Sequence, residues 1–306
     1  MKKLFINVVV FLIPFLILVI ILPVDKRFKY QGLKDDCYNH GIWIYDRIFN
    51  NSKPIDIAFI GSSHTINGVN DKLISEKLNG TLAVNIAYCR LGRNLDYVLL
   101  KELLKGKKPE YVIFEVREEE DRYSHPIFPF MAETSDVVLA NPFFNREIFS
   151  DIWTHFAYKI EITQDYIYKH NSEVPIRKNN FGFASPADTA SFAKLEEIKQ
   201  KRSIHKNELS DFEQNFHSNF SKGYLKKINE ICKENGVEII FLYLPSYCTN
   251  HEKPFEYKTY INYGKVLIPP NNIFDNPTNW IDENHLNRSG ANKLSDWIAE
   301  EIKKLK

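Results

Sequence analysis

Apolar and polar positions follow three different rhythms along this chain. The first is a nearly unbroken apolar run from Leu4 to Leu22, interrupted only by Asn7 and Pro14. At about 1.5 Å of rise per residue, such a helix just crosses a hydrocarbon core of about 30 Å. The run follows Lys2-Lys3 and ends Ile21-Leu22-Pro23-Val24-Asp25, without a small-residue cleavage site. The pattern therefore predicts an uncleaved transmembrane anchor over residues 1–24 in preference to a cleaved signal peptide. Lys2 and Lys3 on one flank and Lys26, Arg27 and Lys29 on the other leave its orientation open.

The second rhythm is an alternation of short apolar runs with segments of helical period. A neck and lead-in, residues 25–53, comes first, with one helical face at Ile42, Ile44, Tyr45 and Ile48. Strands are predicted at Ile55–Ile60, Leu82–Ala87, Tyr111–Val116, Val237–Leu244 and Val266–Ile268. Helices are predicted near Asp71–Leu78, capped by Asn70 or Asp71 and ended by Asn79-Gly80, and at Leu95–Leu104, Leu209–Asn235 and Ser289–Leu305. Repeated strand–helix–strand order with short connections implies an α/β domain over 54–306, its mainly parallel sheet covered on both faces.

The third rhythm is an irregular, aromatic stretch at about 119–206, too long for one loop of a compact domain. Its many Phe, Tyr and Trp residues predict a packed, partly helical insertion near the active site.

Composition adds bounds. The 306 residues are 44% hydrophobic and 26% charged, an ordinary globular balance. A net charge of +1 gives no sign of a nucleic-acid surface. Aromatic content of 14% suits a large core better than sugar-stacking surfaces. Cys37, Cys89, Cys232 and Cys248 form no CxxC pair, so no zinc site is predicted, and spacing does not decide whether any of them pair. No HExxH or similar cluster occurs, and neither a metal nor a cofactor is expected.

Candidate chemistry lies at two distant points. The first strand stops at Gly61-Ser62-Ser63-His64 and feeds a helix, the way α/β enzymes present a nucleophile at the carboxyl end of a strand. The last loop reads Trp280-Ile281-Asp282-Glu283-Asn284-His285-Leu286. A serine hydroxyl is a poor nucleophile until a base takes its proton, and the base needs a partner that fixes its tautomer. Ser63, His285 and Asp282 are the catalytic candidates, and a parallel sheet would bring them to one edge. Ser62 is the second candidate nucleophile, and His64 a lining or positioning residue.

These blocks resemble the SGNH (GDSL-like) hydrolase superfamily. Gly61-Ser62-Ser63-His64 matches its first block, with Ser63 in the nucleophile position. Asp282-x-x-His285-Leu286 matches its last block, and Asn85-Ile86-Ala87 with Gly92 loosely resembles its second. The third block departs: Glu115-Val116-Arg117-Glu118 stands where the family has Gly-x-Asn-Asp. Arg117 occupies about the place of the oxyanion-hole asparagine, either as a hydrogen-bond donor or in a salt bridge. The resemblance implies a three-layer α/β/α, flavodoxin-like fold, with Gly92, Asn85, Arg117 and His64 as oxyanion or substrate-binding candidates. With the N-terminal anchor, the chain is similar to membrane-anchored acyl-transfer proteins of cell envelopes. That similarity implies an extracytoplasmic catalytic domain, an acylated glycan or acyl donor as substrate, and a membrane-bound O-acyltransferase as partner. Two functions are then expected to compete: a serine acyl-ester hydrolase or O-acyltransferase, and an inactive glycan-binding or assembly protein that keeps the fold.

Overall fold

A computed structural model of the chain describes residues 2–21, 26–33, 36–168, 179–204, 211–249 and 252–305. The predicted end of the apolar run at Leu22–Asp25, the start of a helix at Leu209, the end of the insertion at 205–206 and the terminal Lys306 lie outside those residues.

Helix α1 (Lys2–Ile21) carries Pro14 inside it and is followed by α2 (Lys26–Gln31). Among the described residues, no helix is long and apolar enough to cross a membrane. The segment predicted as an anchor is helical, then, but several of its side chains fall outside the description.

Residues 36–51 are less a neck than part of the body. A 3-10 turn (Cys37–Asn39), α3 (His40–Tyr45) and a π-helical turn (Asp46–Asn50) follow one another. Their residues Trp43, Ile44 and Ile48 are all at most 1% exposed. Of the expected face, Ile42, Ile44 and Ile48 are buried and Tyr45 is half-buried, and a disulfide joins Cys37 to Cys89 across 52 residues. Arg47 donates to the carbonyls of Lys53, Pro54 and Asn180, filling orphaned acceptors of two loops.

The sheet consists of β1 (Ile57–Ile60), β2 (Ala83–Asn85), β3 (Tyr111–Val116), β4 (Glu238–Tyr243) and β5 (Lys265–Leu267). All pairs are parallel, in the order β2-β1-β3-β4-β5. The period of two sends alternate side chains to opposite faces. Ala58, Ile60, Val112, Phe114, Ile239 and Phe241 enter one core; Ile57, Phe59, Tyr111, Ile113, Ile240 and Leu242 enter the other. Such continuously apolar strands mark a sheet buried on both sides.

Between β1 and β2 lie α4 (Ser63–Gly68) and α5 (Asp71–Lys77). Asn70 caps α5 by accepting from the Leu73 N–H, and Asn79 and Gly80 leave it with positive φ. Helix α6 (Arg93–Gly106) joins β2 to β3. The insertion contributes α7 (Phe128–Met131), α8 (Thr134–Val138), α9 (Ile148–Tyr168) and α10 (Phe192–Ile204). Helix α11 (Asp211–Asn235) packs on α6 and leads into β4. Short α12 (Tyr257–Tyr260) and α13 (Asn271–Phe274) flank β5, and α14 (Arg288–Lys303) closes the described fold against α4 and α5.

In this strand order the direction of winding reverses between β1 and β3, and ligands of such sheets bind at the carboxyl ends there. Ser63 lies at that end of β1, and Glu115 is the penultimate residue of β3.

Candidate active site

Ser63 is the first residue of α4, so its N–H has no acceptor within the helix. The turn before it is shaped by Glu115, a 1% exposed carboxylate on β3. Glu115 Oε2 accepts from the N–H of Ser62 at 2.7 Å, the N–H of Thr65 at 3.2 Å and Thr65 Oγ1 at 2.7 Å. Its Oε1 accepts from Ser62 Oγ at 2.7 Å. Gly61 is required by this packing: a Cβ there would stand 2.4 Å from Glu115 Cβ and 2.6 Å from Thr65 Oγ1. Ser62 therefore spends its hydroxyl proton on Glu115, and its oxygen caps α4 by accepting from the His64 N–H. The neighbouring serine is the one turned outward.

The other half of the site is a loop pinned at both ends. Trp280 and Leu286 are 1% and 4% exposed and form an antiparallel bridge, with the Ile281 N–H donating to the His285 carbonyl. Asn287 caps α14 by accepting from the Gly290 N–H. Between these anchors Asp282 Oδ1 accepts from the N–H groups of Asn284 and His285, at 2.8 and 2.9 Å. Both Asp282 oxygens lie within 3.0 Å of His285 Nδ1. A carboxylate has only lone pairs to offer, so Nδ1 carries the proton and Nε2 presents its lone pair. Ser63 Oγ stands 2.8 Å from that Nε2. Burial works against the charge of Asp282, but the His285 hydrogen bond and the backbone N–H bonds outweigh it and hold the acid at about 2. The Ser63, His285 and Asp282 side chains are thus joined in one hydrogen-bonded line across more than two hundred residues of sequence.

The remaining candidates occupy different places. His64 is 5% exposed, its ring edge-on to His285 at a centroid distance of 5.4 Å. Burial, the charge of Arg117 and the neighbouring His285 push His64 well below the usual imidazole range, so it lines the site as a neutral ring. Arg117 donates to Ser246 Oγ at 3.3 Å. Beyond Ser246, a cavity of about 170 Å³ is lined by Tyr243, Pro245, Cys248, Phe274 and Asp275. Asn85 is fully buried, and its amide donates to the carbonyls of Thr65 and Val69 at 2.7 and 2.9 Å. With both amide hydrogens engaged, it braces the end of α4 and has none left for an oxyanion. Gly92 caps α6, where the N–H groups of Leu95 and Asp96 donate to its carbonyl; a Cβ there would lie 2.5 Å from that of buried His125.

The insertion returns along this edge. The Ala184 N–H donates to the Ile66 carbonyl, the Arg288 N–H to Pro186 and the Ala190 N–H to Trp280. One strap of chain therefore touches both α4 and the His285 loop. Among the described residues there is no group of three or more His, Cys, Asp or Glu side chains able to hold a metal.

Sequence reasoning missed Glu115. Its signal is a lone carboxylate inside the apolar strand YVIFEV.

Fold and site together define an α/β protein with a hydrogen-bonded serine–histidine–aspartate set at the switch point of a parallel sheet. No protein-family model matches the chain, and no curated protein matches it either.

Proposed function

We propose that the protein is a membrane-anchored serine acyl-ester hydrolase or O-acyltransferase of the SGNH type, acting on an acylated glycan of the cell envelope or an exported glycan. The observation that carries this reading is the 2.8 Å contact between Ser63 Oγ and His285 Nε2, with Asp282 on the far side of the ring. Ser63 Oγ attacks the acyl carbonyl carbon while His285 Nε2 takes its proton. Asp282 stabilises the imidazolium that results. The tetrahedral oxyanion is met by the Ser63 N–H, with Gly92 and Arg117 as the second donors to test. Collapse breaks the ester bond, and His285 returns its proton to the departing alcohol. Water or a glycan hydroxyl then attacks the acyl-serine, with His285 again as base. The same site serves hydrolysis and transfer.

The Cys37–Cys89 disulfide supports an extracytoplasmic domain, because such bonds persist in oxidising compartments. The apolar run from Leu4 to Leu22 supports anchoring; a membrane-bound O-acyltransferase as donor-side partner rests on the family resemblance alone.

A fluorophosphonate probe tests the reading. It labels the detergent-solubilised wild type and leaves Ser63→Ala and His285→Ala unlabelled; equal labelling of wild type and Ser63→Ala would overturn it. One observation keeps a second reading in view: Arg117 fills the third-block position and Asn85 is committed to backbone carbonyls. An inactive glycan-binding protein predicts no turnover of acyl esters and glycan binding that survives His285→Ala.

A further inference from the structure

Away from the serine, a cavity of about 270 Å³ lies between α2, the α7–α8 corner and α9. Its wall includes Lys26, Lys29, Thr134, His155, Tyr158 and Lys159. Lys29 and Lys159 are 8% and 4% exposed, a rare placement for lysines unless an anion joins them, and His155 beside them is 5% exposed. The nearby carboxylates are largely taken. Glu102 and Glu133 also line the cavity, but Lys105 bonds both, at 3.0 and 2.6 Å, and Lys101 bonds Glu133 and Asp136 at 3.0 and 2.8 Å. Lys26 reaches Glu102 at 3.3 Å. Among the described residues, Lys26, Lys29 and Lys159 line the cavity with Glu102 and Glu133, and both of those carboxylates are also held by lysines behind the wall.

The inner groups are aligned by neutral partners. Lys29 Nζ donates to the carbonyls of Met131 and Ala132. His155 Nδ1 donates to the Pro129 carbonyl at 2.8 Å, which leaves Nε2 as the acceptor for Thr134 Oγ1 at 3.0 Å. Lys159 Nζ donates to the same Thr134 oxygen at 3.4 Å. Burial, against the pull of Glu102, pushes Lys29 down to about 8, and an anion beside it would restore the full charge.

We propose that this cavity binds a phosphate-bearing anion, in the first place the head group of an anionic phospholipid. Its volume, just below the lower limit of about 300 Å³ for small-molecule pockets, suits a head group better than a whole ligand. The surroundings favour the lipid source. Lys26 opens α2 only a short way beyond the apolar helix α1, and α1 packs on α9. Helix α9 also exposes an apolar stripe: Asp151, His155 and Lys159 are buried beside Ile148, Tyr158 and Ile162, while Phe149, Trp153 and Ile167 are 83%, 77% and 64% exposed. An outer face of that kind fits a bilayer interface. The proposal does not depend on Ser63.

The test is a melting titration of the full chain in a neutral detergent with dioleoylphosphatidylglycerol, dioleoylphosphatidylcholine or inorganic phosphate. Phosphatidylglycerol is expected to raise the midpoint saturably and phosphatidylcholine to leave it unchanged. Lys159→Gln and Lys26→Gln are expected to weaken half-saturation about tenfold each. Should Lys159→Gln fail to fold, Lys26→Gln decides, because its side chain is 43% exposed. A response to phosphatidylglycerol alone supports the lipid. A matching response to inorganic phosphate, lost in the same variants, supports the site with a free anion as its source. No saturable response to either anion, an equal response to phosphatidylcholine, or a response that survives in both variants overturns the proposal.

Discussion

Two buried carboxylates stand near the carboxyl end of β3, and their surroundings are built on opposite terms. Glu115 is met only by neutral donors, the N–H and hydroxyl groups of Ser62 and Thr65. Glu120 is met by a cation: Arg93 Nε and Nη2 grip it at 2.6–3.0 Å, while Nη1 holds Asp96 at 2.9 Å and Tyr260 donates its hydroxyl to the same Glu120. Each hydrogen bond to the buried carboxylate contributes about 1.5–3 kcal/mol, and their four directions fix a backbone. An ion pair cut off from water gains little over an apolar substitute, yet losing one partner strands the other. The first cluster therefore sets geometry beneath Ser63, and the second ties α6 to the segment after β3. Function and stability should separate along this line.

Mutations can break or sharpen that separation. The largest expected effect is in the site that Glu115 supports: Ser63→Ala and Asp282→Asn should each lower acyl-ester turnover by about 10⁴-fold or more, the first with an unchanged urea midpoint and the second with a lowered one, because Asp282 also holds two backbone N–H groups of its loop. Next, Arg93→Met should cost about 3–5 kcal/mol in urea unfolding, because it leaves Glu120 and Asp96 buried without their cation. Turnover per folded molecule should stay within about twofold. A collapse of turnover in a folded Arg93→Met protein would erase the distinction between the clusters. Glu115→Gln should cost less stability, about 1–3 kcal/mol, but also about 10²-fold in rate, since it mispositions Ser63 without touching substrate. A variant with normal rate would show that the turn holds its shape without the carboxylate.

The smallest effect concerns Asp96. Burial, against the pull of Arg93, raises it from 3.8 to about 7. Between those values the folded protein keeps a proton that the unfolded chain releases. The resulting stability is full below the unfolded value and is lost as pH rises through about 7. Asp96→Asn should flatten that part of the decline between pH 5 and pH 8, read as the change in urea midpoint.

Much of this arrangement was legible in the sequence, for reasons that can be named. Strand β3 was readable to the residue, because Tyr111–Val116 is buried on both faces and bounded by polar residues. Ser63, Asp282 and His285 were readable because each sits where a strand or loop meets a helix, with turn chemistry that local pattern reveals. In the neck and lead-in stretch, residues 36–51 find partners more than a hundred residues away, which no local pattern discloses, such as Trp43 donating to the Asn179 carbonyl at 2.7 Å. The Asn85 environment was equally hidden: its role depends on where Thr65 and Val69 end α4, which no spacing discloses. The cysteine pairing was left open for the same reason, and only the folded path of the lead-in brings Cys37 to Cys89.

That disulfide has a mechanical consequence. Cys37 precedes Ser63 and Cys89 follows it, so the bond closes a covalent ring around β1, α4, α5 and β2. Tension entering through the N-terminal helix reaches Cys37 and crosses to Cys89 without stretching the chain between them. The Ser62–Ser63 turn sits inside that ring, unloaded, like a knot in the slack of a tethered rope. In a pulling experiment on the N-terminus, residues 38–88 should lengthen only after reductant is added.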